Sequence, residues 1–213
     1  MDIINEAQFK KLQLYLVGST SLIVAGAYLL QLARFRRESE PLLLSGVNYE
    51  VALKGARIVT GDKRTRYCVV EFFDYECPPC RLMAPRVYEA VNKSDGKACL
   101  ALQNFPLVIH PHAFDLALVS CALDPPQFTE FYNLALKVHG LEAAEFLKRW
   151  KLRLDRSKPG WARRASQKLE SERAIGRRLS VNGTPTLFLV DQVKGVVYRC
   201  KNIAAINRVL SGT

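Results

Sequence analysis

From Tyr67 to Tyr75 the chain reads Tyr-Cys-Val-Val-Glu-Phe-Phe-Asp-Tyr, with β-branched and aromatic residues on both alternating faces. A strand of that composition has no face to give to water, so it demands a sheet covered on both sides. It runs directly into Cys77-Pro-Pro-Cys80 and then into the helix-forming stretch Arg81–Asn92. A second apolar run, Ala98–Phe105, follows. Strand, helix and strand at these lengths predict a βαβ unit with a parallel pair.

Between about Pro111 and Ser180 the apolar spacing changes to three and four, as in Phe114, Leu118, Cys121 and Ala122, which predicts several helices. The tail returns to strand patterns at Thr186–Val190 and Val196–Cys200, and a short helix over 203–210 closes the chain. The expected class is α/β. At 213 residues the chain can bury a core without disulfide staples, and six cysteines are too few for a disulfide scaffold.

The N-terminus has a different character. Leu12–Ala33 is uncharged over 22 residues, bounded by Lys10 and Lys11 on one side and Arg34, Arg36 and Arg37 on the other. As a helix it reaches about 30 Å, the thickness of the hydrocarbon core. It is expected to be a transmembrane helix over 12–33, after an N-terminal tail over 1–11 and before a linker and lead-in over 34–55. A cleavable signal peptide is the rival reading, with Ala25-Gly26-Ala27 as its small-residue site. Basic residues at both ends leave the orientation open.

A lone Cys-x-x-Cys is half a zinc site, a redox pair or an accident. Zinc needs two more ligands, and Cys68, Cys99, Cys121 and Cys200 are isolated within strand or helix patterns. Position favours redox chemistry. The motif lies between a buried strand and a helix start, where unpaired amides and the helix dipole favour a thiolate, the reactive form in disulfide exchange. Pro78 suits the first helical turn.

On these residues the chain resembles the thioredoxin superfamily. Glu71, six residues before Cys77, matches the buried acid below the active site. Pro85 matches the proline within the active-site helix, and Gly183-Thr184-Pro185-Thr186-Leu187 matches the segment whose cis-proline faces the cysteines. Residues 81–184 lie between Cys80 and Pro185 and include Asn104-Phe-Pro-Leu and His110-Pro-His-Ala. That long insertion resembles the DsbA-like branch, in which a helical subdomain, here about 111–180, interrupts a thioredoxin-like domain spanning 56–211.

The resemblance implies a thiol–disulfide oxidoreductase that needs no cofactor beyond a redox-active Cys77–Cys80 disulfide. It implies Cys77, Cys80, Glu71 and Pro185 as catalytic residues, and Thr184, Pro78 and Pro79 as residues facing the client protein. Cys77 would form the mixed disulfide, Cys80 would resolve it, and Glu71 would relay the proton. Pro-Pro replaces the Pro-His of many oxidases of that branch. Neither proline has an N–H, Glu76 precedes the pair, and both changes disfavour the thiolate and a strongly oxidising role.

The implied partners are client proteins with thiols or disulfides, a membrane redox partner that recycles the pair, and the lipid bilayer through residues 12–33. The catalytic domain is then expected outside the cytoplasm, although the four further cysteines argue mildly against an oxidising compartment. The chain carries 31 basic against 20 acidic residues, and residues 146–180 hold twelve Lys or Arg against Asp155, Glu170 and Glu172. A solvated helix face accounts for that run, with an anionic lipid or acidic partner as the alternative. Nucleic acid is not expected as a partner, since only Trp150 and Trp161 are interleaved. His110 and His112 have no third ligand nearby in sequence and read as loop or helix-start residues. The competing function is an assembly subunit of a membrane complex that uses a thioredoxin-like domain for docking.

Overall fold

The computed structural model describes residues 6–138, 140–158 and 160–211, and side chains except those of residues 6–10, 12–20, 141 and 156. Two compact units are present, Met1–Glu40 and Pro41–Thr213.

The first unit carries one long helix, α1 (Glu6–Glu38). It extends past both ends of the expected 12–33 span, because the flanking charged residues are themselves good helix formers. Arg34 and Glu38, one turn apart, pair at 3.0 Å near its end. The side chains of residues 12–20 lie outside the described residues. Among the described residues no helix is long and apolar enough to cross a membrane. Leu22, Ile23, Val24, Leu29 and Leu30 are nonetheless all largely exposed, so α1 presents apolar side chains on every side between Leu22 and Leu30.

The second unit is built on the strand that the sequence marks out. In chain order it runs β1 (Leu42–Leu43), α2 (Tyr49–Leu53), β2 (Arg57–Thr60), β3 (Tyr67–Phe73), α3 (Pro78–Asn92) and β4 (Ala98–Asn104). Four helices follow: α4 (Ala113–Ala122), α5 (Pro125–Ala135), α6 (Leu141–Ser157) and α7 (Trp161–Arg178). The chain then returns with β5 (Thr186–Asp191), β6 (Val196–Cys200) and α8 (Ile203–Ser211). The sheet order is β1-β6-β5-β3-β4-β2. Among the described residues only β3 and β4 run parallel; every other neighbouring pair is antiparallel. This is a mixed sheet with β3 at its centre.

Every residue of β3 is buried, as its two-sided apolar pattern requires. One face carries Val69 and packs with Val87 and Val91 of α3 and Ala205 and Ile206 of α8. The other carries Cys68, Val70 and Phe72 and packs with Ala52 of α2 and Ile175 of α7. The α4–α7 insertion joins the first face's end through a third cluster, in which Phe73, Tyr75, Cys77 and Cys80 meet Phe128, Phe131, Tyr132 and Trp150.

The lead-in is more ordered than its sequence predicts. Residues read as a linker carry β1 and α2, and β1 pairs with β6 through Leu42↔Arg199 and Leu43↔Tyr198. Two and five residues are too short for a periodic signal, and such elements exist only through their tertiary partners. Asn48 caps α2 by accepting from the Glu50 amide at 2.8 Å.

Candidate active site

The site forms where β3 ends, α3 begins and the loop before β5 crosses in front. Cys77 is the N-cap of α3, and Pro78 and Pro79 occupy its first turn. Proline is welcome there because those amides have no intrahelical partner to lose. Both prolines are exposed, whereas Cys77 is 4 % exposed and Cys80 is fully buried. Pro85 lies inside α3, which continues through it to Asn92.

The Thr184–Pro185 peptide is cis. The Cys77 thiol donates to the Thr184 carbonyl at 3.2 Å. Cys77, Cys80, Thr184 and Pro185 are therefore gathered at one point from positions more than a hundred residues apart. Burial pushes the Cys80 thiol well above its ordinary range, and the nearby charges of Glu71 and Cys77 add to this. An Asp74 backbone hydrogen bond and the Thr184 side chain oppose the shift.

Glu71 sits below the pair in the middle of β3, in register with Leu102 on β4 and Leu187 on β5. It is fully buried, and neither carboxyl oxygen has a hydrogen-bond partner among the described residues. Desolvation pushes its carboxyl up to about 8, because burial takes the charged form out of bulk water.

Sequence reasoning missed the residues that hold the approach to Cys77. Asp74, buried at the end of β3, accepts from the Glu76 amide at 2.8 Å and from the Leu107 amide at 2.8 Å. Its second oxygen also lies 2.7 Å from His110 Nδ1. The Cys77 amide donates to the Asp74 carbonyl at 3.2 Å. Glu76 accepts from the His112 amide at 2.5 Å. His110 and His112 thus belong to the loop that braces the site. The usable signal was Asp two residues before Glu76 at a strand end, the setting of an Asx turn.

Tyr75 anchors the same loop to the insertion. It is fully buried and donates to the Ser120 hydroxyl at 2.9 Å. The buried Arg57 reaches the Ser120 and Leu123 carbonyls, the latter at 2.6 Å, with its guanidinium 4.0 Å from the Phe128 ring centre. Glu172 ties α7 to β4 by accepting from the Asn104 backbone amide at 2.8 Å and from its side-chain amide at 2.7 Å.

The thioredoxin family model matches residues 54–198, from the end of α2 into β6. The chain belongs to the thioredoxin family. Among solved structures this thioredoxin-family chain is similar to the thiol-disulfide exchange protein alpha-DsbA2 from Wolbachia pipientis. The two are 19 % identical with a TM-score of 0.62, over 77 % of this chain and 91 % of that one. It is also similar to Proteus mirabilis ScsC in a compact conformation, 15 % identical with a TM-score of 0.60, over 97 % of both chains. At those identities the likeness is one of fold. A curated relative, the Na(+)/H(+) antiporter NhaA 1 of Salinispora arenicola, is 31 % identical over 163 residues, or 73 % of this chain. The thioredoxin-family chain spans only 25 % of that protein's length.

Proposed function

We propose that this thioredoxin-family oxidoreductase exchanges disulfides with client proteins through Cys77 and Cys80, from a domain held outside the cytoplasm by a membrane anchor over residues 12–33. The observation that carries the exchange reading is the Cys77 sulfur at a helix N-cap, 3.2 Å from the Thr184 carbonyl, with Cys80 shielded one turn further on.

In the reducing direction, the Cys77 thiolate attacks one sulfur of a client disulfide and the other client sulfur leaves as a thiolate. The Cys80 thiol then loses its proton and attacks the Cys77 sulfur. A Cys77–Cys80 disulfide forms and the second client thiol departs. The client gains two electrons and the pair loses two; the reverse sequence oxidises a client. Burial opposes the Cys80 thiolate, so a base must take its proton as the attack proceeds, and Glu71 is the residue assigned to it. The Thr184–Pro185 loop presents backbone groups along which an extended client segment adds as a strand. The exposed Pro78 and Pro79 form the opposite side of that approach. A membrane redox partner restores the pair after each turnover.

The anchor reading rests on the uncharged 22-residue run and on the uncovered apolar side chains of α1 from Leu22 to Leu32. Soluble helices seldom remain apolar all round, and hydrocarbon supplies the missing cover. Basic residues at both ends fit headgroup contact.

Reduction of insulin disulfides by the purified protein, with Cys77→Ser as control, tests the exchange. The expected result is turnover in the wild type and none in Cys77→Ser. A folded wild type with no turnover would instead favour the docking subunit. Alkaline carbonate extraction of the expressed chain tests the anchor: retention in the membrane pellet that is lost on deleting residues 12–33 is expected, and release of the full chain contradicts it.

A further inference from the structure

The insertion also brings a tyrosine into the neighbourhood of the buried acid. Asp124 and Gln127 form a reciprocal cap at the start of α5, and its buried face then reads Phe128, Phe131, Tyr132 and Ala135. The Tyr132 ring packs at 5.8 Å from Phe73, 6.5 Å from Tyr75 and 6.1 Å from Phe128. Phe73 lies two residues beyond Glu71, so the two share one face of β3. Tyr132 shares an apolar cluster with Cys77, Cys80 and Leu102, and Leu102 is the register neighbour of Glu71 on β4.

Tyr132 is 3 % exposed, and its hydroxyl has no hydrogen-bond partner among the described residues. The two carboxyl oxygens of Glu71 share that condition. Buried polar groups without partners are rare and call for an explanation. Two kinds occur here together: an O–H donor and a carboxyl with free acceptor positions. Burial holds the phenol well above its ordinary range, and the charge of Glu71, then those of Tyr75 and Cys80, push the same way. The phenol therefore keeps its proton, and Glu71 is the first of the charges it feels. The titratable groups facing it are Glu71 from β3, Tyr75 from the loop before α3, and Cys80 from α3; Arg57, Cys121 and Glu172 bear on Tyr75 behind it.

We propose that Tyr132 is a positioning residue of the exchange, its hydroxyl stabilising the Glu71 carboxylate through a shared internal water molecule as the proton of Cys80 is taken up and released. The inference rests on the reading of Cys77 and Cys80 as the exchange pair and of Glu71 as their base. An internal water with two or more polar partners satisfies groups of this kind. It gives the insertion a second part in the chemistry besides packing, because the donor to the acid comes from α5.

Tyr132→Phe removes the hydroxyl and keeps the ring against Phe73, Tyr75 and Phe128. Loss of a donor to the anion raises the carboxyl's titration point, so the basic form of Glu71 appears at higher pH. The expected result is insulin reduction about five-fold slower at pH 7, with the pH–rate midpoint displaced upward by about one unit. Because Tyr132 acts through Glu71, Tyr132→Phe should change the rate less than about two-fold in a Glu71→Gln background. Equal slowing in both backgrounds, or an unmoved pH profile in an active protein, overturns the proposal. A wild type that reduces no insulin defeats the exchange reading itself, which separates the two failures. Should Tyr132→Phe not fold, the infrared band of the protonated Glu71 carboxyl, assigned by its loss in Glu71→Gln, decides on the other variants. A hydrogen-bonded band position in the wild type supports the proposal, and the position of an unbonded carboxyl contradicts it.

Discussion

Cys68 and Cys99 face each other in register across the parallel strands β3 and β4, while Cys77 and Cys80 stand one helical turn apart at the start of α3. Both pairs are buried and carry free thiols. Proximity of two sulfurs therefore does not distinguish them; their surroundings do. Cys77 heads a helix, and it lies beside the exposed Pro78 and Pro79 and the Thr184–Pro185 loop. Cys68 lies in mid-strand within the cluster that includes Phe72, Ile175 and Phe188. The neighbouring Cys99 sulfur, and then burial, hold the Cys68 thiol well above its ordinary range. One pair has a route for a client backbone; the other has none. A thiol becomes a redox group by its address in the fold.

The largest effect expected is at Cys77. Cys77→Ser should lower exchange by about a thousand-fold or more, since no other thiol can begin the reaction. Cys80→Ser is expected to leave the first step open and remove its exit, so client adducts should accumulate on non-reducing gels. Absence of adducts from an otherwise folded Cys80→Ser protein would reverse the roles of the two cysteines.

The buried acid beneath the pair sharpens the contrast through pH. Glu71 keeps its proton up to about 8 in the folded chain, against an ordinary 4.5, so between those values the folded state binds more protons than the unfolded one. Stability consequently falls as pH rises through that window. Between pH 5 and 8 this one group should cost roughly 3–4 kcal/mol, a slope that Glu71→Gln removes. Urea melts of both proteins at pH 5, 6.5 and 8 read it directly; parallel slopes would mean that Glu71 is already ionised.

The smallest effect is the one that defines the other pair. Cys68→Ala and Cys99→Ala should each cost about 1–2 kcal/mol of stability through lost packing and change exchange less than two-fold. A large loss of activity in either variant, at unchanged stability, would place that pair in the chemistry.

Much of this arrangement is legible in the sequence because it rests on local signals. The two-sided pattern of β3, the prolines after Cys77 and the apolar run of β4 each mark an element, and their order implies the parallel pair. The neighbouring of the strands bearing Cys68 and Cys99 follows from the same unit. What escapes is set by distant partners. β1 and α2 are too short to carry a period, and Leu42 and Leu43 look no different from linker residues until β6 pairs with them. Asp74 is one acid among twenty until Leu107 and His110 arrive from the far end of β4. Tyr132 reads as one more aromatic on an apolar helix face, and only the packing of α5 on Phe73 sets its ring against the strand that carries Glu71.

On the exchange reading, Cys77 and Cys80 alone among the six cysteines change redox state. The most direct test equilibrates the protein in glutathione buffers of graded potential, traps free thiols with a mass-tagged alkylating reagent, and locates the protected residues by peptide mass spectrometry. The expected result is a single two-electron transition, a tenfold change in ratio for about 30 mV, with Cys77 and Cys80 protected together and Cys68, Cys99, Cys121 and Cys200 alkylated throughout after unfolding. A transition that protects Cys68 and Cys99, or one that leaves Cys77 and Cys80 as thiols at every potential, would contradict it.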